Sequence, residues 1–342
     1  MQPLTECDVW RIGVLSGTGT ARKRTIPALL DSHVCRVTVV HGRSQDGLRR
    51  AADMDPGIRL AASEQEFAEL REHYDVVFIG SPPFLHPAHI ELAVQLGMPA
   101  ICEKPLVARR EPLEPVLAEI AGSGLPFMLA HHVRHQAAVA DIAEIIASRR
   151  FGEPVAASLQ WCFMMNHDAP SARWKLDPRL GGSNAMFDCG VHAIDIAVRL
   201  FGVPTDVTAT GQHRRSVDTH DAVAAVLQYP KFAVTVTASQ SGSPAGNDLK
   251  ITFPDCVLRA NAIFSEKAVR SVEIVGSFGS EELTYETANL YRAEVEDFCR
   301  SLEGSVNPGA TVADAAACSR ILFAMEDSIR TGRLTQVYVD KF

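Results

Sequence analysis

The sequence contains no long apolar run, no closely spaced cysteine pair and no excess of basic residues. No apolar stretch approaches the roughly 18 residues that a membrane-spanning helix requires. The opening residues, MQPLTECD, lack the basic region and the apolar core of a signal peptide. The eight cysteines form no C-x-x-C motif, which argues against a zinc site or a disulfide framework. These absences predict a cytoplasmic protein without a bound metal.

The net charge indicates which kinds of molecule the protein binds. The 342 residues include 41 acidic and 33 basic side chains, which gives a net charge of -8. Nucleic-acid-binding domains are usually basic, so we expect a small-molecule substrate and neither nucleic acid nor a membrane as partner. The hydrophobic fraction of 46% is ordinary for a globular protein, and the length allows two domains with separate cores.

The N-terminal part alternates between continuous apolar runs and amphipathic stretches. Strands are expected at 10–16, 36–41, 75–80, 99–102 and 126–130. Helices are expected at 21–31, 45–54, 64–73, 86–96 and 111–121. Apolar strands that alternate with helices indicate a parallel sheet covered on both faces. We therefore predict an α/β domain over residues 1–131.

The remainder of the chain reads as closely spaced strands. They are expected at 155–163, 206–212, 222–228, 233–239, 249–253, 256–261 and 269–275, followed by helices at 289–302 and 312–330. Glycine, proline and asparagine separate these strands, which is typical of a mainly antiparallel sheet. Residues 132–342 are therefore predicted to form a second, α+β domain.

A glycine-rich turn follows the first expected strand and precedes a helix. Its glycines let the backbone approach a pyrophosphate at the helix N-terminus, where free N–H groups and the helix dipole favour an anion. The full fingerprint has a third small residue, where this chain has Arg22. Arg22 either displaces the usual helix–strand contact or marks a different loop, and its charge either faces solvent or reaches a phosphate. The residues predicted to bind the pyrophosphate are Gly17, Thr18, Gly19, Thr20 and Ala21.

The second expected strand ends without the acidic residue that is typical of NAD sites. An Asp or Glu at this point accepts hydrogen bonds from the ribose 2′-hydroxyl of NAD. Here the chain reads His41-Gly42-Arg43-Ser44, and the first carboxylate is Asp46. Arg43 and Ser44 suit a 2′-phosphate through charge-assisted hydrogen bonds; the alternative is that Arg43 is a plain surface residue. We therefore favour NADP(H) over NAD(H).

One later segment carries ionisable side chains at helical spacing, after the glycine pair at 181–182. Asp188 and His192 are four residues apart, and His192 and Asp195 are three apart, so on a helix they share a face. A Glu-Lys-Pro sequence at 103–105 follows an apolar run about eighty residues upstream. A lysine, an aspartate and a histidine brought together can bind a polar substrate and move a proton.

Taken together, these motifs resemble the Gfo/Idh/MocA family of oxidoreductases, which includes glucose–fructose oxidoreductase and inositol dehydrogenase. The resemblance covers nearly the whole chain, and the order and spacing of its markers are specific. The markers are Gly17-Thr18-Gly19 with Ile26-Pro27-Ala28-Leu29, Pro82 with His86, Glu103-Lys104-Pro105, Trp174 ahead of Gly181-Gly182, Asp188, Gly190, His192 and Asp195, and a helix with Tyr291 and Phe298.

The resemblance implies a doubly wound Rossmann domain followed by an α+β domain with a large, mostly antiparallel open sheet. The face of that sheet often forms the oligomer contact, which suggests a homodimer or a homotetramer. The resemblance also implies hydride transfer between nicotinamide and a carbon that bears a hydroxyl or keto group, usually on a sugar or polyol.

The resemblance further implies roles for individual residues. Lys104 would be catalytic and orient the substrate, Asp188 would bind substrate or relay a proton, and His192 would be the general acid or base. Glu103 and Pro105 would shape the lysine turn beside the nicotinamide. The other residues implied to bind the cofactor are Ser81, Pro82 and His86, with Glu103 and Lys104. Those implied to bind the substrate are His132, Arg134 and Trp174, with Lys104, Asp188 and His192.

Several positions leave details of binding open. Arg22 stands where the family has alanine or glycine, Pro83 follows Pro82 where asparagine is common, and His132 replaces an asparagine. The group His131, His132, Arg134 and His135 either binds a ligand or marks a domain hinge. Asp195 either orients His192 or binds substrate, and Trp174 and Lys175 line either a pocket or the core.

The leading hypothesis is an NADP(H)-dependent sugar or polyol oxidoreductase. Reducing a ketone requires a hydride from nicotinamide and a proton from a positioned acid, and a histidine with a pKa of about 6.5 suits the second task. His192 is then the proton donor, and Lys104 stabilises the developing alkoxide. One alternative is a lyase or glycosidase that uses transient oxidation. The other is a non-catalytic dinucleotide sensor, against which Lys104, Asp188 and His192 together argue.

Overall fold

A computed structural model describes residues 9–338, except for positions 170, 183, 217 and 305–308. The chain divides into two units. The first unit runs to Val107, resumes at Glu111–His132 and takes in Tyr291–Val312. The second comprises Ala108–Arg110, Val133–Leu290 and the chain from Ala313 onward. The predicted boundary at residue 131 lies beside His132, but the return of the chain to the first unit after residue 290 was not anticipated.

The first unit contains a parallel sheet. Its strands are β1 Trp10–Leu15, β2 Cys35–His41, β3 Arg59–Ala61, β4 Val76–Ile79, β5 Ala100–Glu103 and β6 Phe127–Ala130. They lie in the order β3-β2-β1-β4-β5-β6, and every neighbouring pair is parallel. The helices between them are α1 Thr20–Lys23, α2 Thr25–Leu29, α3 Gln45–Ala52, α4 Glu64–Glu69, α5 His86–Gln95 and α6 Leu113–Ser123. This arrangement confirms the predicted doubly wound fold.

The second unit contains a nine-stranded sheet. Its elements in chain order are α7 Ala137–Ala147, β7 Ala156–Cys162, α8 Ala172–Lys175, α9 Pro178–Gly181, α10 Val191–Phe201, β8 Asp206–Gln212, β9 Ala222–Gln228, β10 Ala233–Ser239, β11 Leu249–Thr252, β12 Cys256–Ala260, β13 Ser271–Gly276 and β14 Gly279–Thr284. Helices α11 Leu290–Leu302 and α12 Val312–Thr331 and strand β15 Thr335–Gln336 follow. The strand order is β14-β13-β12-β11-β7-β10-β9-β8-β15, and β7 and β10 are the one parallel pair among the described strands of this second sheet.

Helix α11 explains why the chain returns to the first unit. Its apolar positions Val295, Phe298 and Cys299 are buried in one cluster with residues of the parallel sheet, among them Val37 and Ile101. Their spacing of three and four residues predicts a helix with one apolar face. The same spacing does not reveal which unit that face will cover.

Two further elements, β14 and α7, were not predicted from the sequence. Strand β14 reads GSEELT and has no buried alternate face, so its sequence carries no strand signal. The helix α7 was missed altogether. Among the described residues, no helix combines the length and the apolarity needed to cross a membrane.

Gly13 in β1 makes a testable contribution to the core of the first unit. A Cβ there would lie 2.7 Å from Tyr74 Cγ and 2.9 Å from Phe67 Cζ. These two rings stack with centroids 4.6 Å apart, and Tyr74 is buried. We expect Gly13→Ala to lower the free energy of unfolding by about 1–3 kcal/mol, because the rings must move. Urea denaturation measures this change.

Gly122 supplies the matched control. It lies in α6, and no atom lies within 4 Å of a Cβ built on it. Gly122→Ala should raise the free energy of unfolding by about 0.5–1 kcal/mol, because alanine has the higher helix propensity. Equal unfolding midpoints for Gly13→Ala and the unchanged protein would contradict the packing account.

Candidate functional site

The glycine loop lies at the carboxyl end of β1, where the strand order reverses between β1 and β4. The Gly17 N–H donates to the His41 carbonyl at 2.8 Å, and the Gly80 N–H donates to the Leu15 carbonyl at 2.9 Å. Ala21 is fully buried, and a Cβ on Gly80 would lie 2.9 Å from the Ala21 Cβ. Ala21 therefore makes the close contact between loop and sheet, so Arg22 does not displace it.

The helix after this loop differs from the prediction. One helix was expected over 21–31, but α1 ends at Lys23 and α2 begins at Thr25. Pro27 has no N–H to donate to the Lys23 carbonyl, so the helical hydrogen bonds are interrupted. A helix of one turn sums few peptide dipoles. The expected dipole attraction for an anion is therefore weaker, and phosphate binding would depend on the N–H groups of the loop.

Two features of the loop fit the phosphates of a dinucleotide. No atom lies within 4 Å of a Cβ built on Gly19, so a ligand can approach the backbone there. The Nε atom of Arg22 is buried and has no hydrogen-bond partner within the described residues. A buried donor without a partner is costly, and an anion would satisfy it.

The loop after β2 packs against the glycine loop. A Cβ on Gly42 would lie 2.2 Å from Thr18 Cγ2, so the Thr18 side chain fits only against a glycine. Arg43 and Ser44 are exposed, and the Ser44 Oγ caps α3 by accepting from the Gly47 N–H at 3.1 Å. The Ser44 hydroxyl can still donate its own hydrogen to a ligand.

Asp46, the alternative carboxylate for a ribose, already has a cationic partner. It forms an ion pair with Arg50 at 2.9 Å on α3. Arg43 has no carboxylate partner within the part of the chain that the structure describes. The charge available to a ligand at the end of β2 is thus positive.

A buried histidine connects the loop after β4 to the turn after β5. His86 Nδ1 lies 2.9 Å from the Pro105 carbonyl oxygen, and its Nε2 lies 2.9 Å from the Ser81 carbonyl oxygen. Burial lowers the pKa of His86 to about 4, against the opposing effect of these carbonyl groups. The ring is fully buried and neutral at physiological pH. We therefore expect His86 to position the turn rather than to contact a cofactor directly.

The neighbouring residues of the loop after β4 also face inward. The Ser81 Oγ lies 2.9 Å from His89 Nδ1 and is buried. Pro82 precedes a 3₁₀ turn, Pro83–Leu85, in which Pro83 occupies the first position. A proline is tolerated there because the first N–H of a helical turn has no partner within the turn. This accounts for Pro83 without a loss of structure.

The Glu-Lys-Pro turn begins at the last residue of β5. Glu103 and Lys104 are half-buried, and the Lys104–Pro105 peptide bond is cis. Burial and the nearby charge of Glu103 raise the pKa of Glu294 on α11 well above its usual range. Glu294 is 1% exposed, and its burial favours the neutral form of the carboxyl group. Sequence reasoning missed Glu294; its only signal is one acidic residue among the apolar positions of α11.

In the second unit, Asp188 accepts hydrogen bonds from a lysine and a glutamine. Lys175 Nζ donates to both carboxylate oxygens at 2.8 Å each, and Gln240 Nε2 donates to Oδ2 at 2.8 Å. The side chains of Lys175 and Asp188 are 21% and 13% exposed. These donors hold the carboxylate ionised and in a fixed orientation. From the sequence, Lys175 was expected only to line a pocket or the core.

The glycine pair explains how Lys175 reaches Asp188. A Cβ on Gly181 would lie 2.6 Å from the Trp174 carbonyl oxygen, so α8 packs directly against this backbone. Gly182 has a φ of +94°, a conformation that L side chains rarely adopt. Trp174 is half-buried, and its ring centroid lies 5.6 Å from Lys175 Nζ. Trp174 thus lies beside the Asp188 cluster.

His192 lies near the start of α10. The residue is 3% exposed, and its ring stacks on Trp161 of β7 with centroids 4.6 Å apart. A π-helical turn, Met186–Gly190, precedes α10, so the α-helical spacing assumed for Asp188 is wrong in detail. Such turns occur frequently at functional sites. Trp161 was not found from the sequence, because a tryptophan in a strand reads as core.

The guanidinium of Arg134 is engaged by two carboxylates. Its Nη2 and Nε donate to Asp195 at 2.5 Å and 3.1 Å, and its Nη1 donates to Asp314 at 3.0 Å. Arg134 and Asp195 are both buried. Because buried charges are costly without close partners, removing Asp195 or Arg134 would destabilise the second unit. The arrangement favours a supporting role for this pair within the second unit.

His132 belongs to the first unit. Its buried ring stacks on Tyr291 with centroids 4.6 Å apart and an interplanar angle of 19°. This contact joins the end of the parallel sheet to the start of α11. A substrate contact by His132 stays a prediction.

Comparisons with known proteins agree with this arrangement. Residues 11–131 match the model of an oxidoreductase family with an NAD-binding Rossmann fold, and residues 139–280 match the GFO/IDH/MocA C-terminal domain. The chain is 26% identical over 328 residues to D-xylose 1-dehydrogenase (NADP(+)) 2 of Haloferax volcanii, covering 95% of this chain and 99% of that protein.

Two solved structures share the fold. One is a 3-ketoreductase from Actinomadura kijaniata in complex with TDP-benzene and NADP, with a TM-score of 0.82, 20% identity and coverage of 94% and 98% of the two chains. The other is an oxidoreductase from Agrobacterium radiobacter in complex with NAD+, L-tartaric acid and magnesium, with a TM-score of 0.80, 17% identity and coverage of 96% and 98%. The family models together span most of the sequence, and the chain therefore belongs to the Gfo/Idh/MocA family of oxidoreductases.

Proposed function

We propose that the protein is an NADP(H)-dependent oxidoreductase that acts on a hydroxyl-bearing or keto carbon of a sugar, sugar derivative or polyol. The observation that carries the proposal is the cluster in which Lys175 and Gln240 fix the Asp188 carboxylate, four residues before His192. An oriented carboxylate binds substrate hydroxyls, and a histidine can exchange a proton with one of them. The name of the Haloferax protein, a D-xylose 1-dehydrogenase, supports a sugar substrate.

The proposed chemistry divides between the nicotinamide and the protein. When bound, NADP(H) supplies or accepts the hydride at carbon. His192 gives a proton to the oxygen of that carbon during reduction and removes it during oxidation. The Lys104 ammonium stabilises the negative charge that develops on the same oxygen. Asp188 holds a hydroxyl of the substrate and does not act as the proton donor, because a carboxylate ion-paired with Lys175 has no proton to give.

The preference for NADP(H) rests on the end of β2. Arg43 is exposed and has no carboxylate partner in the described part of the chain, whereas Asp46 is paired with Arg50. A 2′-phosphate would meet a guanidinium there, together with the Ser44 hydroxyl. Likeness alone does not decide the cofactor, since one solved relative holds NADP and another holds NAD+.

Two other functions make different predictions. A lyase or glycosidase with transient oxidation would form product without a net change in nicotinamide. A dinucleotide sensor would bind the cofactor and turn over no substrate. The buried charge of the Lys175–Asp188 pair argues against the sensor, because holding two ionised groups out of water costs stability that mere binding does not require.

Replacing Arg43 tests the cofactor assignment. We expect Arg43→Ala to weaken NADPH binding by about 10- to 100-fold, since charge-assisted hydrogen bonds to the 2′-phosphate are lost. NADH binding should be unchanged. Fluorescence titration with both nucleotides measures this, and Arg49→Ala, which removes an exposed arginine of the neighbouring helix α3, is the matched control. An equal loss of NADPH affinity in both variants would refute the assignment.

Replacing His192 tests the proton donor. We expect His192→Asn to lower kcat by about 10²- to 10⁴-fold on aldoses and polyols that the unchanged protein oxidises. NADP+ affinity should stay the same, because the proposed contacts to the cofactor lie in the loops that follow β1 and β2. Steady-state kinetics on a panel that includes D-xylose gives the rate. Near-normal kcat in this variant would show that another group moves the proton.

Replacing Lys175 tests the orientation of Asp188. Lys175→Met should raise KM by about tenfold or more, because Asp188 loses a charge-assisted partner and its fixed position. Lys175→Arg keeps the positive charge and should recover most of the affinity. The two variants compared under the same conditions separate charge from packing. If Lys175→Met and Lys175→Arg had the same KM as the unchanged protein, Asp188 would not depend on this contact.

A further inference from the structure

His41 occupies the end of β2, where NAD-binding proteins usually have an acidic residue. It is bound to the glycine loop twice. Its carbonyl oxygen accepts from the Gly17 N–H at 2.8 Å, and its ring Nδ1 accepts from the Ser16 N–H at 3.2 Å. Two successive N–H groups at the start of the loop therefore both donate to His41. The N–H groups left for phosphates belong to the residues from Thr18 onward.

The conformation of Ser16 makes this contact important. Ser16 has a φ of +57°, which is left-handed and uncommon for a residue other than glycine. Such a residue keeps this conformation only when its surroundings hold it there. The bond from its N–H to His41 Nδ1 is the side-chain contact that does so. Loss of the bond would let the loop relax toward a conformation with negative φ.

The contact also fixes the charge of the ring. An N–H can donate to Nδ1 only when that nitrogen carries a lone pair, so the proton of the neutral ring belongs on Nε2. His41 is 3% exposed and packs edge-on against Phe67 and His89, with ring centroids 6.3 Å and 6.4 Å away. A proton on Nδ1 would break the contact with Ser16.

The surroundings of His41 oppose such a proton. Burial lowers the pKa of His41, and so do His89 on α5 and Arg43 after β2. Glu64 and Glu66 on α4 act in the opposite sense, but Glu64 is shared with His89, whose Nε2 lies 3.1 Å from Glu64 Oε1. The neutral ring is therefore the form present near neutral pH, and the charged form appears only on acidification.

We propose that neutral His41 is a positioning residue that holds the start of the glycine loop in its cofactor-binding conformation, so that protonation of His41 releases the loop and weakens nucleotide binding. The inference rests on the proposed cofactor role of the loop. It assigns His41 a role at the position where an acidic residue would serve the ribose of NAD.

Two substitutions separate the acceptor from the charge. His41→Asn places an oxygen, Oδ1, at the same number of bonds from the backbone as Nδ1, and it does not titrate. His41→Ala removes the acceptor. At pH 7.5 we expect His41→Asn to bind NADP+ within about twofold of the unchanged protein, and His41→Ala to bind about tenfold more weakly, as for the loss of one hydrogen bond. Isothermal titration calorimetry with NADP+ measures both.

The pH dependence gives a readout that a merely structural role would not move. The 2′-phosphate of NADP+ itself takes up a proton near pH 6, so the decisive quantity is the ratio of the two Kd values, unchanged protein over His41→Asn. Below the pKa of His41 this ratio should rise by up to about tenfold per pH unit, because only the unchanged protein gains the proton. A ratio that stays constant between about pH 8 and pH 5 would overturn the proposal.

Hydrogen exchange tests the loop without any nucleotide. At pH 7.5, a peptide covering the end of β1 and the glycine loop should exchange faster in His41→Ala than in the unchanged protein, and His41→Asn should restore slow exchange. Equal exchange in all three would contradict the proposal. If the unchanged protein bound neither NADP+ nor NAD+ while exchange still followed this order, the proposed cofactor function would fail but the His41 contact would stand.

Discussion

Parallel pairing of β1 with both β2 and β4 is the constraint on which the cofactor half of the structure depends. It brings three strand ends to one edge of the sheet. The glycine loop, the loop after β2 with Arg43 and the loop after β4 with Ser81 therefore become neighbours. Side chains then fix the distances between these loops. Thr18 packs on Gly42, and His41 accepts from the start of the glycine loop. A dinucleotide site therefore follows from strand order before any single residue is considered.

The second unit meets a different requirement, which is to keep a carboxylate ionised under partial burial. Lys175 and Gln240 compensate Asp188, and the packing of α8 against Gly181 brings the lysine within reach. A buried ion pair rarely adds to the free energy of unfolding, because both charges lose their hydration. The cost is consistent with a site that must recognise hydroxyl groups, which need an acceptor of fixed direction. His192 lies on the same segment and is held by the ring of Trp161.

Much of the fold could be predicted from the sequence because hydrophobic periodicity reports burial. Strands such as Asp206–Gln212 and Ala233–Ser239 have the predicted bounds. That periodicity does not show which element an apolar face will pack against, which is why the return of α11 to the first unit was missed. The same limit applies to the site: the motif names Asp188 and His192, but no spacing rule predicts Trp161, Glu294 or the bond from Lys175.

The central claim is that the protein carries out net hydride transfer on a sugar-type substrate. The most direct test mixes the purified protein with NADP+ and aldoses or polyols and quantifies both the reduced nicotinamide and the organic product. The account predicts one reduced nicotinamide for each molecule of ketone or lactone formed. Product that accumulates without reduced nicotinamide would contradict it and indicate transient oxidation instead. Tight NADP+ binding with no product from any sugar or polyol would contradict the assignment of an enzyme that acts on such substrates.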